Sequence, residues 1–328
     1  MLAAEAQHVS NLPAYIIEKD YWVTQTLEVL YSKIAPTLKS KCDKPFLFKG
    51  GTSLSKGYGL INRMSEDIDL SFSLDVLECS PINCAKITGR NARQEEAKKI
   101  DQKAEVLIEE MLKDEIEKHL LELDPRIKVE IESKLPLNIA IYYPKALDDS
   151  SYGGSVQPRV LLETGGRSDN HPDELKPIQH MLGQAIPDLE DSSFEVLTLS
   201  AERTLLEKMF GIHTNHTRAQ VADKHARHLY DIVEIDAKFP DWCKNKELFQ
   251  IVVHFCDVYY KWHKESCDSA KTGPLILSPQ TDDMHERYNK DWNSMADMFP
   301  RAELPYTFEQ LVEKIKVIES KANQFLYS

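Results

Sequence analysis

The chain has 328 residues, with 40 Lys and Arg against 53 Asp and Glu, a formal net charge of -13. Hydrophobic residues make up 42%, enough for real cores, which excludes disordered, collagen-like and low-complexity classes. The acidic balance argues against a protein that coats nucleic acid over its whole surface, because phosphate contacts need clustered Lys and Arg, but it allows one local basic site.

No stretch approaches the roughly 18 consecutive apolar residues of a membrane span, and the opening residues lack a basic region followed by an apolar core. A cytoplasmic protein without membrane contact is therefore expected. The six cysteines, Cys42, Cys79, Cys84, Cys243, Cys256 and Cys267, form no C-x-x-C pair. Zinc on Cys243, His254, Cys256 and His263 fits no common spacing, so reduced thiols are the better reading.

In chain order, residues 12–34 read as a helix. Leu12, Tyr15, Ile16, Tyr21, Trp22, Leu27 and Leu30 recur at three- and four-residue intervals, with Asn11 as cap and Pro13 in the first turn. Phe46-Leu47-Phe48 is a short buried strand stopped by Gly50-Gly51-Thr52-Ser53, and a second strand runs from Ile68 to Phe72. Residues 92–121 carry one apolar stripe (Ile100, Ala104, Leu107, Ile108, Met111, Leu112, Ile116) on a charged helix. Strand-like runs follow at Ile127–Glu132, Asn138–Tyr143 and Pro158–Glu163, with Tyr152-Gly153-Gly154-Ser155 as a hairpin turn between the last two. After a polar, proline-containing stretch (167–188) the pattern is helical, near 199–213, 218–237, 246–264, 280–298 and 307–325. The expected fold is α+β: a mixed-sheet domain with helices over 1–190, then a helical domain over 191–328.

The chemistry concentrates between residues 44 and 69. Asp67 and Asp69, at i and i+2, project from one face if both lie on the strand. Like charges held so close are unfavourable without a cation, and an oxygen-only pair suits Mg²⁺ or Mn²⁺. The plainer alternative puts Asp67 in a turn, with both carboxylates solvated. Upstream, Gly50-Gly51 lets backbone amides approach an anion, while Thr52 and Ser53 add hydroxyls. The window 44–63 holds Lys44, Lys49, Lys56 and Arg63 and no acidic residue. A basic glycine loop directly before a carboxylate pair is what a metal–triphosphate site requires. Neither a Walker loop nor a Rossmann fingerprint is present.

The stretch KGGTSLSKGYGLINRMSEDIDL resembles the AbiEii/AbiGii toxin family of nucleotidyltransferases, in the DNA polymerase beta-like superfamily. Ile17-Glu18-Lys19-Asp20-Tyr21-Trp22 is similar to the family's N-terminal signature. Val160-Leu161-Leu162-Glu163 with Gly166-Arg167-Ser168-Asp169, Ala201-Glu202-Arg203-Thr204-Leu205-Leu206-Glu207-Lys208 and Arg227-His228-Leu229-Tyr230-Asp231 resemble later motifs, in the same order. The resemblance implies that Lys49, Gly50, Gly51, Thr52, Ser53 and Lys56 hold the nucleotide, that Asp67 and Asp69 hold metal, and that Lys208 reaches phosphate with Asp231 in support. It also implies a third carboxylate on a neighbouring strand. Glu163, ending VLLE, is the choice; Glu130 and Glu132, also i and i+2, compete. For Lys208 a solvated surface lysine is the plainer alternative, and Arg203 and Glu207, at i and i+4, can simply pair.

The implied activity is Mg²⁺-dependent transfer of NMP from an NTP to a hydroxyl, on the 3′ end of tRNA or another RNA, as the toxin of a toxin–antitoxin or phage-defence system with an antitoxin partner. A catalytically silent nucleotide- or RNA-binding module, or a D-x-D glycosyltransferase, are the alternatives; the GGTS loop counts against the latter. His213, His216, His225 and His228 lack metal-ligand spacing and read as helix-surface residues.

Overall fold

The computed structural model describes residues 12–65, 67–148, 152, 157–166, 171–185, 193–259 and 264–328. The chain divides into two compact units, one ending at Leu199 and one beginning at Ser200. The boundary expected near 190 precedes a last strand, Phe194–Leu199, that belongs to the sheet.

In the first unit α1 (Ala14–Glu28) continues through a π-helical turn (Val29–Ile34) and a final turn (Ala35–Thr37). Pro13, not Asn11, occupies the cap position; Asn11 lies outside the described residues. Seven strands follow: β1 (Phe46–Lys49), β2 (Ile68–Phe72), β3 (Lys128–Glu132), β4 (Leu135–Tyr142), β5 (Arg159–Gly165), β6 (Asp173–Ile178) and β7 (Phe194–Leu199). They form one mixed sheet in the order β3-β4-β5-β2-β1-β7-β6. β1 runs antiparallel to β2 and parallel to β7, and β2 runs parallel to β5. The glycine-rich hairpin turn at 153–155 and the motif at 167–169 lie outside the described residues.

Alternation along the strands sorts the two faces. Ile68, Leu70, Val160, Leu162, Ile139 and Ile141 are fully buried. α1 packs on β5, and the helix before β3 packs on β3 and β4. That helix has three parts: α3 (Arg90–Leu107), a π-helical turn (Ile108–Leu112) and α4 (Lys113–Leu121). Its buried stripe, Ile100, Ala104, Ile108, Leu112, Ile116 and Leu120, repeats every fourth residue. On an ideal α-helix a step of four drifts by about 40°. The wider π-helical turn takes up part of that drift and keeps the stripe on the sheet.

β6 stands in the stretch 167–188 that reads as polar, and β7 falls between that stretch and the first expected helix of the second half. β6 is a sheet edge, so it carries Asp173, Glu174, Lys176 and even Pro177, which an edge tolerates because one row of its backbone donors needs no partner.

The second unit comprises α6 (Ala201–Thr217), α7 (Ala226–Lys238), α8 (Lys246–Tyr259), α9 (Lys264–Thr272), α10 (Asp282–Asn293) and α11 (Phe308–Leu326), following α5 (Met181–Ala185) of the first unit. Ser200 caps α6 by accepting from the Arg203 amide, and Thr307 with Gln310 forms a capping box on α11. Tyr230, Trp292 and Phe299 pack ring on ring, with centroids 5.2–5.9 Å apart. Cys243 and Cys256 are both buried, 1% exposed each.

The histidines of α6 correct the surface reading: His213 and His216 are core residues, 0% and 5% exposed. His213 Nδ1 accepts from the Ile276 amide at 3.0 Å, and its Nε2 lies 2.8 Å from Ser269 Oγ. His216 Nε2 lies 3.0 Å from the Tyr288 hydroxyl. Burial pushes both pKa values down to about 4, helped at His216 by the neighbouring His213 and His225. Both are neutral in the folded protein at pH 7. As pH falls below about 6.5 the unfolded chain takes up protons that the folded chain refuses until about pH 4. Stability is therefore lost across that window, on the order of 3 kcal/mol per histidine when complete. Thermal melts at pH 7, 6, 5 and 4.5 are expected to show a falling Tm; a Tm unchanged to pH 4.5 contradicts this account.

Candidate active site

The loop after β1 is shaped by two glycines. Lys49 is extended, and Gly50 then takes φ +76, which L side chains rarely adopt. A Cβ built on Gly50 would lie 1.8 Å from Asp69 Oδ2, so the Asp69 carboxylate occupies the space a side chain would fill. A Cβ on Gly51 would lie 2.6 Å from Ser65 Oγ and 2.8 Å from Arg63 Nη2. The backbone then makes one helical turn (Gly50–Thr52) and a π-helical turn (Ser53–Gly57).

Thr52 and Ser53 are fully buried and hold the loop. Thr52 donates to the Asp67 carbonyl and lies 3.0 Å from Ser65 Oγ, while Ser53 donates to the Gly50 carbonyl at 2.8 Å. Asp67 precedes β2 by one residue, and Asp69 is the second residue of the strand. Both are half-buried. The loop is thus coupled to the start of β2 twice, through Gly50 against the Asp69 carboxylate and through Thr52 on the Asp67 backbone carbonyl.

Strand register places the other carboxylates. Asp69 stands opposite Lys49 on β1 and opposite Glu163 on β5, and Glu163 stands opposite Asn138 on β4. Facing residues on adjacent strands share a side of the sheet, with Cβ atoms about 5 Å apart. One row across four strands therefore reads Lys49, Asp69, Glu163, Asn138, on the face opposite the side chains of Ile68, Leu162 and Ile139. Glu130 and Glu132 lie on β3, two strands beyond β5 in the sheet order. Glu132 is paired with Arg159. Asn138, 9% exposed, escaped the sequence reading, since no local signal marks an asparagine within an apolar strand.

Two of the four charges in the basic window are neutralised from elsewhere in the unit. Lys44 pairs with Asp173 at 2.8 Å, Lys56 is buried against Asp20, and Arg63, 3% exposed, donates to the Met64 carbonyl. Lys49 makes no ion pair among the described residues. In the second unit Lys208 meets Asp231 at 2.9 Å, with Asp231 0% and Lys208 9% exposed, and Lys208 Nζ lies 3.0 Å from His228 Nδ1. Lys208 is thus a buried, paired lysine. Arg203 pairs with Glu207 at 2.9 Å, as their spacing suggests.

The donor set fits a hard divalent cation in kind. Mg²⁺ typically takes one or two carboxylates plus substrate phosphates and water, and Asp67 and Asp69 offer two half-buried carboxylates. Among the described residues no three His, Cys, Asp or Glu side chains form a ready-made cage.

The glycine loop and the two carboxylates are thus brought together by β1 and β2, neighbouring strands in the interior of the mixed sheet. The family model for the nucleotidyl transferase AbiEii toxin of type IV toxin–antitoxin systems matches residues 36–314, and the chain belongs to that family. No curated protein matches the sequence. Among solved structures the chain is similar to MenT4, a nucleotidyltransferase toxin from Mycobacterium tuberculosis H37Rv, at 15% identity and a TM-score of 0.43, covering 100% of this chain and 98% of that one. That likeness is too distant to bear on mechanism. Among the described residues no helix is long and apolar enough to cross a membrane.

Proposed function

We propose that this nucleotidyltransferase moves NMP from an NTP to a hydroxyl at the 3′ end of a tRNA or another RNA, using Mg²⁺ or Mn²⁺ held by Asp67 and Asp69. The observation that carries the reading is the register of Asp69 with Glu163, with Gly50 cleared for the Asp69 carboxylate. A bound divalent ion would supply charge neutralisation at the phosphate and a lower pKa for the attacking hydroxyl.

The chain's own residues do the rest. Amides of Gly50, Gly51 and Thr52, with the Lys49 ammonium, hold the triphosphate, while Ser53 closes the turn on the Gly50 carbonyl. Glu163, exposed on β5, takes the proton of the acceptor hydroxyl as it attacks the α-phosphorus in line. Pyrophosphate leaves. For Lys208 and Asp231 the family resemblance proposes a phosphate-neutralising lysine and its orienting carboxylate. Such a toxin would act in the cytoplasm, in phage defence, with its antitoxin encoded as partner.

Purified protein incubated with each α-labelled NTP, Mg²⁺ and total RNA is expected to label an RNA. Asp67→Ala should abolish labelling, and Glu163→Gln should slow it by about 10²–10⁴-fold, the range for losing a general base. Glu130→Gln should leave it unchanged. Equal labelling by Asp67→Ala would overturn the assignment.

A further inference from the structure

The N-terminal signature of α1 places three consecutive charged residues inside the first unit: Glu18, Lys19 and Asp20 are 7%, 1% and 8% exposed. Three neighbours on a helix point in directions about 100° apart, so each meets a different part of the unit. Glu18 accepts from the Ala146 amide and the Tyr152 hydroxyl, and Lys19 donates to the Gln157 carbonyl at 3.1 Å. Asp20 is the one that reaches the glycine loop. One of its oxygens takes the Lys56 ammonium, and the other accepts from the Met181 amide at 2.8 Å. Lys56 also donates to the Gln179 carbonyl at 3.2 Å.

Lys56 belongs to the π-helical turn Ser53–Gly57, which continues directly from Gly50–Thr52. A second tie holds the next residue along: Tyr58 donates to the Leu199 carbonyl at 3.1 Å, under the Lys176 ammonium. Side-chain exposures of 6% at Lys56 and 7% at Asp20 mean that each charge is compensated by the other and by backbone groups, not by water. A lysine so placed spends its charge inside the protein.

We propose that Asp20 is a positioning residue of the nucleotide loop: by holding Lys56 inward it fixes the turn that presents the amides of residues 50–52. The inference rests on the nucleotide-loop reading above, and it reassigns Lys56 from phosphate ligand to anchor. The two roles predict opposite signs. If Lys56 grips phosphate, releasing it from Asp20 leaves NTP binding equal or stronger. If Lys56 anchors the loop, the same release weakens binding.

The test uses the full-length protein with ATP, GTP, CTP and UTP in turn, by calorimetry with Mg²⁺, alongside hydrogen exchange of the amides of 50–57. Asp20→Asn is expected to weaken binding of the preferred NTP on the order of 10–100-fold, as misplacement of a site by about 1 Å does. It should also speed exchange in 50–57 but not in α3 and α4, and raise KM for the NTP while leaving KM for the acceptor unchanged. Lys56→Arg, which keeps the charge, should bind NTP close to wild type. Because Asp20→Asn leaves a buried ammonium unpaired, the double variant Asp20→Asn with Lys56→Met removes both charges, keeps the fold, and should show the same weak binding and loose loop. Wild-type binding in Asp20→Asn, or unchanged loop exchange in the double variant, overturns the positioning role alone. Wild-type protein that binds none of the four NTPs overturns the nucleotide-loop reading, while the exchange measurement still reports on the tie.

Discussion

Replacing Gly50 by alanine is expected to abolish nucleotidyl transfer and to destabilise the first unit. Two costs add at one atom. The backbone there has φ +76, which charges a residue with a Cβ about 1–2 kcal/mol. The new methyl would also fall 1.8 Å from Asp69 Oδ2, with Asp69 Cγ at 2.6 Å and Cβ at 3.0 Å. Overlap of this kind forces off-rotamer side chains or backbone shifts, typically about 1–3 kcal/mol. The Asp69 carboxylate is the flexible partner, so it is what moves, and it leaves its place in register with Glu163. Urea unfolding should show a loss of about 2–5 kcal/mol, and transfer should fall by more than Asp69→Asn alone would allow for stability. A Gly50→Ala protein with wild-type activity would mean that Asp69 is not held where the loop places it. Gly51→Ala is the comparison. Its Cβ meets the tips of Ser65 and Arg63, which can give way, and its φ is ordinary, so its cost is smaller.

The second large effect is expected at Asp231→Ala. Asp231 is fully buried and pairs with Lys208 at 2.9 Å. Removing the carboxylate takes away the charge that compensates an ammonium only 9% exposed, a loss of about 3–5 kcal/mol. His228 Nδ1, 3.0 Å from Lys208 Nζ, can accept one hydrogen bond but cannot supply the missing negative charge. Adding Lys208→Met to Asp231→Ala removes the stranded charge and should recover part of the stability, without restoring transfer. A loss below about 1 kcal/mol in denaturant titration would show that Lys208 escapes to solvent and that the pair is weak.

Features coded by neighbours in sequence were legible, and features made by distant partners were not. β2 runs from Ile68 to Phe72 as its apolar run predicts, and the glycine loop stands where Gly50-Gly51 interrupts β1. The choice between Glu163 and Glu130 or Glu132 could not be made locally. All three end or alternate along strand-like runs, and only the pairing of β2 with β5 puts Glu163 opposite Asp69. Lys44 and Lys56 read as part of a basic anion cradle because their partners, Asp173 and Asp20, stand 129 and 36 residues away in the chain. β6 was hidden by the polar composition that suits an edge, and α9 by its continuity with the helical pattern of α8. The α6 histidines read as surface because a histidine is polar by type, whereas Ser269, Tyr288 and the Ile276 amide satisfy them within the core.

The central claim is that the α-phosphorus is the atom attacked. Wild-type protein, Mg²⁺, total RNA and the preferred NTP labelled either at the α- or at the γ-phosphate decide it in one gel and one thin-layer plate. The account predicts that α-label enters RNA and that γ-label appears only in pyrophosphate, with neither seen for Asp69→Ala. Label entering RNA from the γ-position, or transfer undiminished in Asp69→Ala, would contradict it.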